Sequence, residues 1–233
     1  MRGFAGALCG LTLGFAGTAH AQSTSAVVVE LFTSQGCSAC PAADALLEEL
    51  VQDPRIIALS LHVDYWDYIG WADSFAKPAF TDRQKAYARA AGSRTLYTPQ
   101  FIVDGQDRVE GTQPQMITEL VSRHSADDGG VSLNLTREGT TVQVAATAER
   151  PFPQPVRVIA VHYTPEAEVD IRTGENAGRS IVYRNIVTEW TAIQDWNGST
   201  PLTAEIDAPT DGKLVVLLQK PGPGDILQAA VLN

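Results

Sequence analysis

The sequence predicts an α/β domain followed by an all-β domain with an antiparallel, sandwich-like arrangement of strands. In the first half, apolar strand patterns alternate with helical patterns, which is typical of α/β folds. In the second half, short strand patterns alternate with turns rich in Pro and Gly. The pattern changes at residues 125–130, a small polar run with little apolar surface to bury. We therefore predict a first domain over residues 22–125, a linker over 126–130 and a second domain over 131–233.

The first 21 residues have the pattern of a secretory signal peptide. Arg2 precedes an apolar segment, and the stretch ends in Ala19-His20-Ala21, which matches a small-x-small cleavage site. We therefore expect cleavage near Ala21 and a periplasmic or secreted protein. Cys9 and Arg2 would leave with the leader, so two of the three cysteines remain and the formal charge changes from −10 to about −11.

The composition after the leader disfavours binding to nucleic acid and a membrane-spanning helix. The acidic charge disfavours nucleic acid. No later stretch approaches the roughly 20 apolar residues that a membrane-spanning helix needs. We therefore expect no nucleic acid partner and no membrane span.

The first half begins with a predicted βαβ unit. Residues 26–32 are almost continuously apolar, which predicts a strand covered on both faces. The helix that follows is indicated by apolar residues at helical spacing, which are Leu46, Leu47, Leu50 and Val51. Residues 56–63 form the next strand, which is parallel to the first because a helix crosses between them.

The rest of the first half predicts a helix, a hairpin and a last helix. Residues 81–84 have capping-box spacing and predict a helix over 81–91. The apolar strand that ends at Asp104-Gly105 begins a β-hairpin with residues 107–110. A second capping-box pattern at residues 112–115 opens the last helix.

The second half contains seven strand patterns, which favour an antiparallel sandwich with its own core. They cover residues 131–135, 142–148, 156–163, 180–190, 202–206, 214–218 and 226–232. Between two of them lies a Gly-rich loop, residues 172–179, with two Arg and one Glu. We predict a hairpin tip held by local salt bridges, with a ligand clamp as the alternative.

Cys37 and Cys40 stand one helical turn apart, between the first strand and the first helix. A helix N-terminus lowers the pKa of a thiol and favours the nucleophilic thiolate, so we expect Cys37 to be a reactive, solvent-accessible group. A structural disulfide and a metal site are the alternatives. The pair is poorly placed to stabilise the fold as a disulfide. Closing a loop of about four residues stabilises the folded state by roughly 2 kcal/mol, against about 3 kcal/mol for a fifteen-residue loop.

Topology predicts which segments surround the cysteines. Parallel strands of a βαβ unit end on the same edge of the sheet, and an antiparallel third strand must begin there. The turn with Cys37, the loop at residues 64–73 and Pro99 should therefore converge. We predict that this region binds substrate, and that core packing is the alternative for its aromatic rings. The predicted substrate-binding residues are Tyr65, Trp66, Trp71 and Gln100.

The Cys-x-x-Cys pair and the dipeptide Thr98-Pro99 resemble the motifs of thioredoxin-like proteins. The resemblance implies a thioredoxin-like fold for the first domain, a cis peptide bond before Pro99, Cys37 as the attacking thiol and Cys40 as the resolving thiol. It also implies a proton-transferring carboxylate on the first strand, for which Glu30 is the candidate. Because the spacing of Glu30 is one residue longer than usual, an ion-paired position is its alternative.

A longer resemblance extends over most of the chain. Residues 30–41 and 62–68, together with 172–179 and 183–185, resemble a bacterial secreted thioredoxin-like family of uncharacterised function. We therefore predict an exported thiol–disulfide exchange protein that acts on thiols or disulfides of other exported proteins and requires no cofactor. Redox direction and oligomeric state stay open.

Two other functions remain open at this point. A metallochaperone for copper or zinc would use Cys37 and Cys40, with His62 as a possible third ligand. A non-catalytic binding module would instead keep the pair as a structural disulfide.

Overall fold

The computed structural model describes residues 19–22, 26–125, 130–209 and 212–232. Most of the predicted signal peptide, residues 1–18, and most of the predicted linker, residues 126–129, lie outside the described residues. The last residues of the predicted leader belong to strand β1 (Ala19–Gln22), which pairs with β6 (Val131–Glu138). The predicted domain boundaries and cleavage site remain predictions.

Every predicted helix and strand pattern corresponds to an element. The first half contains β2 (Val27–Thr33), α1 (Pro41–Leu50), β3 (Ile56–His62), a 3-10 turn (Asp67–Ile69), α2 (Pro78–Ala90), β4 (Gln100–Val103), β5 (Asp107–Glu110) and α3 (Pro114–His124). The second half contains β6, β7 (Thr141–Ala148), β8 (Val156–Asp170), β9 (Ser180–Trp196), β10 (Leu202–Asp207), β11 (Lys213–Gln219) and β12 (Ile226–Leu232). The predicted start of α2 is wrong, because Pro78 occupies its first turn and Thr81 hydrogen-bonds to Asp64 instead of capping.

The predicted fold class is wrong. Among the described residues, strands of both halves form one mixed eight-stranded sheet in the order β12-β11-β8-β9-β3-β2-β4-β5. The chain is therefore mostly β, and it is not an α/β thioredoxin-like domain followed by a separate antiparallel sandwich. A second sheet, in the order β1-β6-β7-β10, packs on the part of the large sheet that the second half supplies.

The two halves join where β3 pairs with β9. The strands run parallel, with Ser60 opposite Ile186. The Ser60 hydroxyl donates a 2.9 Å hydrogen bond to the Arg184 carbonyl, and the Asn185 amide donates one of 2.8 Å to the carbonyl of Ala58. A parallel strand flanked on one side needs a partner on the other, and β9 supplies it from 124 residues away.

Side chains of β2 alternate between the two faces of the sheet. Val27, Val29 and Leu31 pack in a core with α1 and α3. Val28 and Phe32 pack in a different core, with α2. Glu30 lies between these last two residues in the alternation and therefore faces α2.

Strands β8 and β9 form a long hairpin, which we call the β8–β9 arm. Its loop, residues 171–179, is the arm tip. The tip is closed by backbone hydrogen bonds from Ile171 to the Arg179 carbonyl and from Gly178 to the Ile171 carbonyl. The predicted hairpin is thus confirmed, but the expectation that local salt bridges hold its tip is wrong, because none of the ion pairs among the described residues includes Arg172, Glu175 or Arg179. Among the described residues, no helix combines the length and apolar character needed to cross a membrane.

Candidate functional site

Cys37 and Cys40 form a disulfide at the N-terminal end of α1, with their Cα atoms 5.4 Å apart. Cys40 is the N-cap of the helix and Pro41 follows at its first position, where a missing N–H group is tolerated. The carbonyl of Cys40 accepts the backbone N–H of Asp44 at 3.0 Å. The pair therefore lies at the end of the helix where the dipole favours negative charge.

The cysteine turn contacts Thr98-Pro99, whose peptide bond is cis. The Cys37 sulfur lies 3.7 Å from the Thr98 carbonyl oxygen. The Trp66 indole N–H donates a 2.6 Å hydrogen bond to the Thr98 hydroxyl oxygen. The structure therefore brings together the cysteine turn, the aromatic loop and Thr98-Pro99.

The predicted substrate-binding residues occupy two different environments. Trp66 and Trp71 lie beside the cysteine turn, since the Trp71 indole donates to the Gln35 side chain at 2.8 Å. Tyr65 and Gln100 instead hydrogen-bond to Gln84 of α2. Gln100 is only 3% exposed, so its surroundings are those of a core residue. A role in substrate binding remains a prediction for all four.

Glu30 is not brought to the cysteine pair. Its carboxylate forms a bidentate ion pair with Arg83, at 2.6 and 2.8 Å, and accepts the Tyr87 hydroxyl at 2.5 Å. The Arg83 guanidinium also lies 3.7 Å from the ring centroid of Trp190. Glu30 therefore joins β2 to α2 and β9 as a buried ion-paired residue, which is the alternative that the sequence left open.

A different carboxyl group lies one helical turn after Cys40. Asp44 is 4% exposed, and its Oδ1 accepts the Thr33 hydroxyl at 2.8 Å. Its Oδ2 is buried without a hydrogen-bond partner among the described residues. Burial raises the pKa of Asp44 from 3.8 to about 7, although the charge of His62 and the Thr33 hydrogen bond lower it.

Asp44 belongs to a buried polar cluster with His62, Asp73 and Tyr183. His62 Nδ1 lies 2.7 Å from Asp73 Oδ2, and the rings of His62 and Tyr183 are 4.9 Å apart. Burial, together with the carboxylates of Asp44 and Asp73, raises the pKa of Tyr183. Within the described part of the chain, His62 Nε2 and the Tyr183 hydroxyl also have no hydrogen-bond partner.

Asp73 connects this cluster to the cysteine turn. Its Oδ2 accepts the backbone N–H of Gln35 at 2.8 Å as well as His62. Sequence reasoning missed both aspartates. Asp44 could have been found, because it interrupts the apolar stripe of α1 between Cys40 and Leu47. Asp73 ends the loop at residues 64–73 that topology predicted beside the cysteine turn, but no residue pattern distinguished it within that loop.

The arm tip covers the cysteine turn. The side-chain amide of Asn176 donates hydrogen bonds of 2.9 Å to the carbonyl oxygens of Gln35 and Cys37. The Thr173 hydroxyl donates to the carbonyl of Gly70 at 2.5 Å. Cys37 is only 3% exposed, with its backbone carbonyl bonded to the arm tip and its sulfur beside the Thr98 carbonyl, so the expectation of a solvent-accessible Cys37 is wrong for this closed arrangement.

Over the residues that the structure describes, no group of three or more His, Cys, Asp or Glu side chains is arranged to hold a metal ion. His62, the possible third ligand in the metallochaperone alternative, directs Nδ1 to Asp73.

Comparisons with known proteins place this site in a family. Residues 28–219 match the family described as "Protein of unknown function (DUF1223)". The chain is also similar to the crystal structure of a structural-genomics target protein from Agrobacterium tumefaciens. The TM-score is 0.77 and the identity 33%, covering 88% of this chain and 93% of the other. Among curated proteins, none matches. The expected membership of an uncharacterised family is thus confirmed: the chain belongs to the DUF1223 family of unknown function.

Proposed function

We propose that the protein performs thiol–disulfide exchange with other exported proteins through Cys37 and Cys40. The observation that carries this proposal is the position of the Cys37–Cys40 disulfide, at the helix N-terminus and with the Cys37 sulfur 3.7 Å from the Thr98 carbonyl. The helix dipole stabilises a thiolate at Cys37. Export itself is part of the proposal and rests on the leader pattern.

The exchange proceeds in two balanced steps. A thiolate of the partner attacks the Cys37 sulfur, the bond between Cys37 and Cys40 breaks, and the Cys40 sulfur leaves with the electron pair. A second partner thiolate then attacks the partner sulfur of the mixed disulfide and releases Cys37 as a thiolate. The partner gains a disulfide and the pair is reduced; the reverse sequence reduces a partner disulfide.

The Cys40 sulfur requires a proton source within the protein, because Cys40 is fully buried and a buried unpaired thiolate is costly. Asp44 follows Cys40 by four residues, a spacing that puts side chains on one face of a helix. With a pKa of about 7, its carboxyl group is protonated in about half of the molecules at pH 7 and in most of them at lower pH. In this proposal Asp44, rather than Glu30, donates that proton to Cys40 and accepts it in the reverse reaction.

One observation favours a second candidate. Both cysteines are buried, Cys37 at 3% exposure and Cys40 at 0%, as expected for a structural disulfide in a binding module. The two candidates differ in reduction potential, since a structural bridge resists reduction.

Equilibration of the Cys37–Cys40 pair with glutathione buffers separates these functions. An exchange protein should have a potential between about −270 and −120 mV, whereas a structural bridge should lie below about −300 mV. The oxidised and reduced forms can be quantified by thiol labelling and mass spectrometry. A variant with both Cys37→Ser and Cys40→Ser supplies the background, and a potential below the exchange range would contradict the proposal.

A further inference from the structure

We propose that Asn176 is a positioning residue that latches the arm tip over Cys37, and that this tip opens to admit the partner thiol or disulfide. The inference rests on the proposed function and concerns access to the same site. It assigns a role to the loop at residues 172–179, which the exchange chemistry does not itself use.

The contacts of the tip define the latch. Asn176 is 1% exposed, and its amide nitrogen holds the carbonyls of Gln35 and Cys37, which flank Gly36 in the cysteine turn. A Cβ atom on Gly174 would come within 3.2 Å of the Trp71 Cβ, so the tip also packs closely on the aromatic loop. Asn176 is thus the side chain that holds the backbone of the nucleophile.

The tip has few contacts with the first half of the chain. Its two ends are joined by backbone hydrogen bonds between Ile171, Gly178 and Arg179, which do not involve the first half. Residues 172–175 and 177–179 are exposed, and Asn176 alone is buried between them. Opening therefore requires the loss of few contacts, chiefly those of Asn176 and Thr173.

The closed state of the latch is not fully satisfied. Asn176 Oδ1 is buried without a hydrogen-bond partner among the residues described. A buried carbonyl that lacks a partner loses the hydration it has in water, and an opened tip restores that hydration. The free energy gained by hydrating Oδ1 offsets part of the cost of breaking the two hydrogen bonds from the Asn176 amide. This favours local opening of the tip over a tip that stays closed.

The geometry also fixes the side from which a partner reaches the sulfur. Ser38 and Ala39, between the two cysteines, are exposed. Cys37 is buried, and its carbonyl oxygen accepts a hydrogen bond from the Asn176 side chain. In this proposal, displacement of the tip frees the Cys37 side of the turn, while Cys40, the fully buried N-cap of α1, stays in place, so the partner meets the attacking sulfur first.

The test is the rate at which dithiothreitol reduces the Cys37–Cys40 disulfide in the full chain. Asn176→Ala and Asn176→Asp each remove the donated hydrogen bonds and should accelerate reduction by about ten-fold or more, the factor expected for two bonds of ordinary net strength. Arg172→Gln, an exposed change in the same loop, is the matched control and should leave the rate unchanged. Equal rates in all four proteins would overturn the proposal.

Acceleration through global unfolding must be distinguished from local opening. Urea well below the unfolding midpoint should change the reduction rate little if the tip opens locally, because local opening exposes little surface. A rate that rises in parallel with the global unfolding constant would overturn the latch.

Hydrogen exchange on the unsubstituted protein gives a second measurement if the variants fail to fold. The amides of residues 171–179 that are hydrogen-bonded should exchange faster than those of the β8 and β9 strands. Protection equal to that of global unfolding would overturn the proposal. If the Cys37–Cys40 pair has the reduction potential of a structural bridge while Asn176→Ala is reduced faster than the parent chain, the exchange function alone is refuted. If the pair has a potential in the exchange range while the Asn176 variants are reduced at the parent rate, the latch alone is refuted.

Discussion

Asn176 and Cys37 lie 139 residues apart in the chain, yet the side chain of one donates a 2.9 Å hydrogen bond to the carbonyl oxygen of the other. The contact means that the cysteine turn is completed by the second half of the protein. The parallel pairing of β3 with β9 has the same consequence for the sheet. Residues of both halves therefore form the cysteine site, and strands of both halves form the large sheet.

The pH dependence of stability should report the buried carboxyl of Asp44. Its folded pKa of about 7 lies above the unfolded value of 3.8, so the folded state binds more protons between these values and stability falls as pH rises through this window. The groups that face Asp44 are Thr33, His62, Asp73 and Tyr183. Asp44→Asn should remove a pH-dependent loss on the order of 4 kcal/mol between about pH 4 and pH 8.

Urea unfolding of the oxidised protein at several pH values measures this effect. The Asp44→Asn variant should gain stability relative to the parent chain as pH rises. Glu48→Gln, a change farther along α1 on a partly exposed side chain, serves as the control. A difference between parent and Asp44→Asn that does not vary with pH would show that Asp44 keeps an ordinary pKa.

Glu30 should matter for stability and not for exchange. Glu30→Gln leaves the Arg83 guanidinium in its buried position without a counter-charge, and breaking such a pair typically costs about 3–5 kcal/mol. The free energy of unfolding should fall by that order while the rate of disulfide exchange in the folded protein stays the same. A slower exchange with unchanged stability would return Glu30 to the proton-transfer role.

Asn185 tests the junction between β9 and β3. It has a positive φ of 44°, and its amide donates to the Ala58 carbonyl. Asn185→Gly loses the hydrogen bond but adopts the positive φ without strain, whereas Asn185→Ala loses it and keeps a Cβ in the left-handed region, which costs about 1–2 kcal/mol relative to Gly. The free energy of unfolding, measured by denaturation, should therefore be highest for the parent chain, lower for Asn185→Gly and lowest for Asn185→Ala. Equal losses in the two variants would show that the backbone of Asn185 is free to relax.

The sequence predicted the local elements well because their signals are local. The apolar run of β2, the helical spacing of leucines in α1 and the Asp104-Gly105 hairpin all appear as elements where the patterns indicated. The convergence of Cys37, Trp66 and Thr98 could also be predicted, since it follows from the edge at which parallel strands end.

The global assembly could not be predicted in the same way. Ser60 pairs with Ile186, and Asn176 hydrogen-bonds to Cys37, in each case more than a hundred positions apart. The local sequence around one residue of such a pair does not show which distant segment it will contact. Two regions with different periodicity therefore predict two separate folds, whereas the strands of both regions share one sheet. Glu30 faces α2 because side chains alternate along β2, which is the ion-paired alternative that the sequence left open, and its proton-transfer role stays a prediction.

The most direct measurement is the reactivity of Cys37 in the reduced Cys40→Ser variant toward a disulfide-bonded peptide. The account predicts that a mixed disulfide forms at Cys37. When Asn176→Ala is added to this variant to release the tip, the disulfide should form at least about ten-fold faster at pH 7 than with a cysteine in an unstructured peptide, because the helix N-terminus lowers the thiol pKa. Cys37→Ser, which keeps only the buried Cys40, should form none. A Cys37 rate equal to that of the unstructured peptide, or trapping through Cys40, would contradict the account.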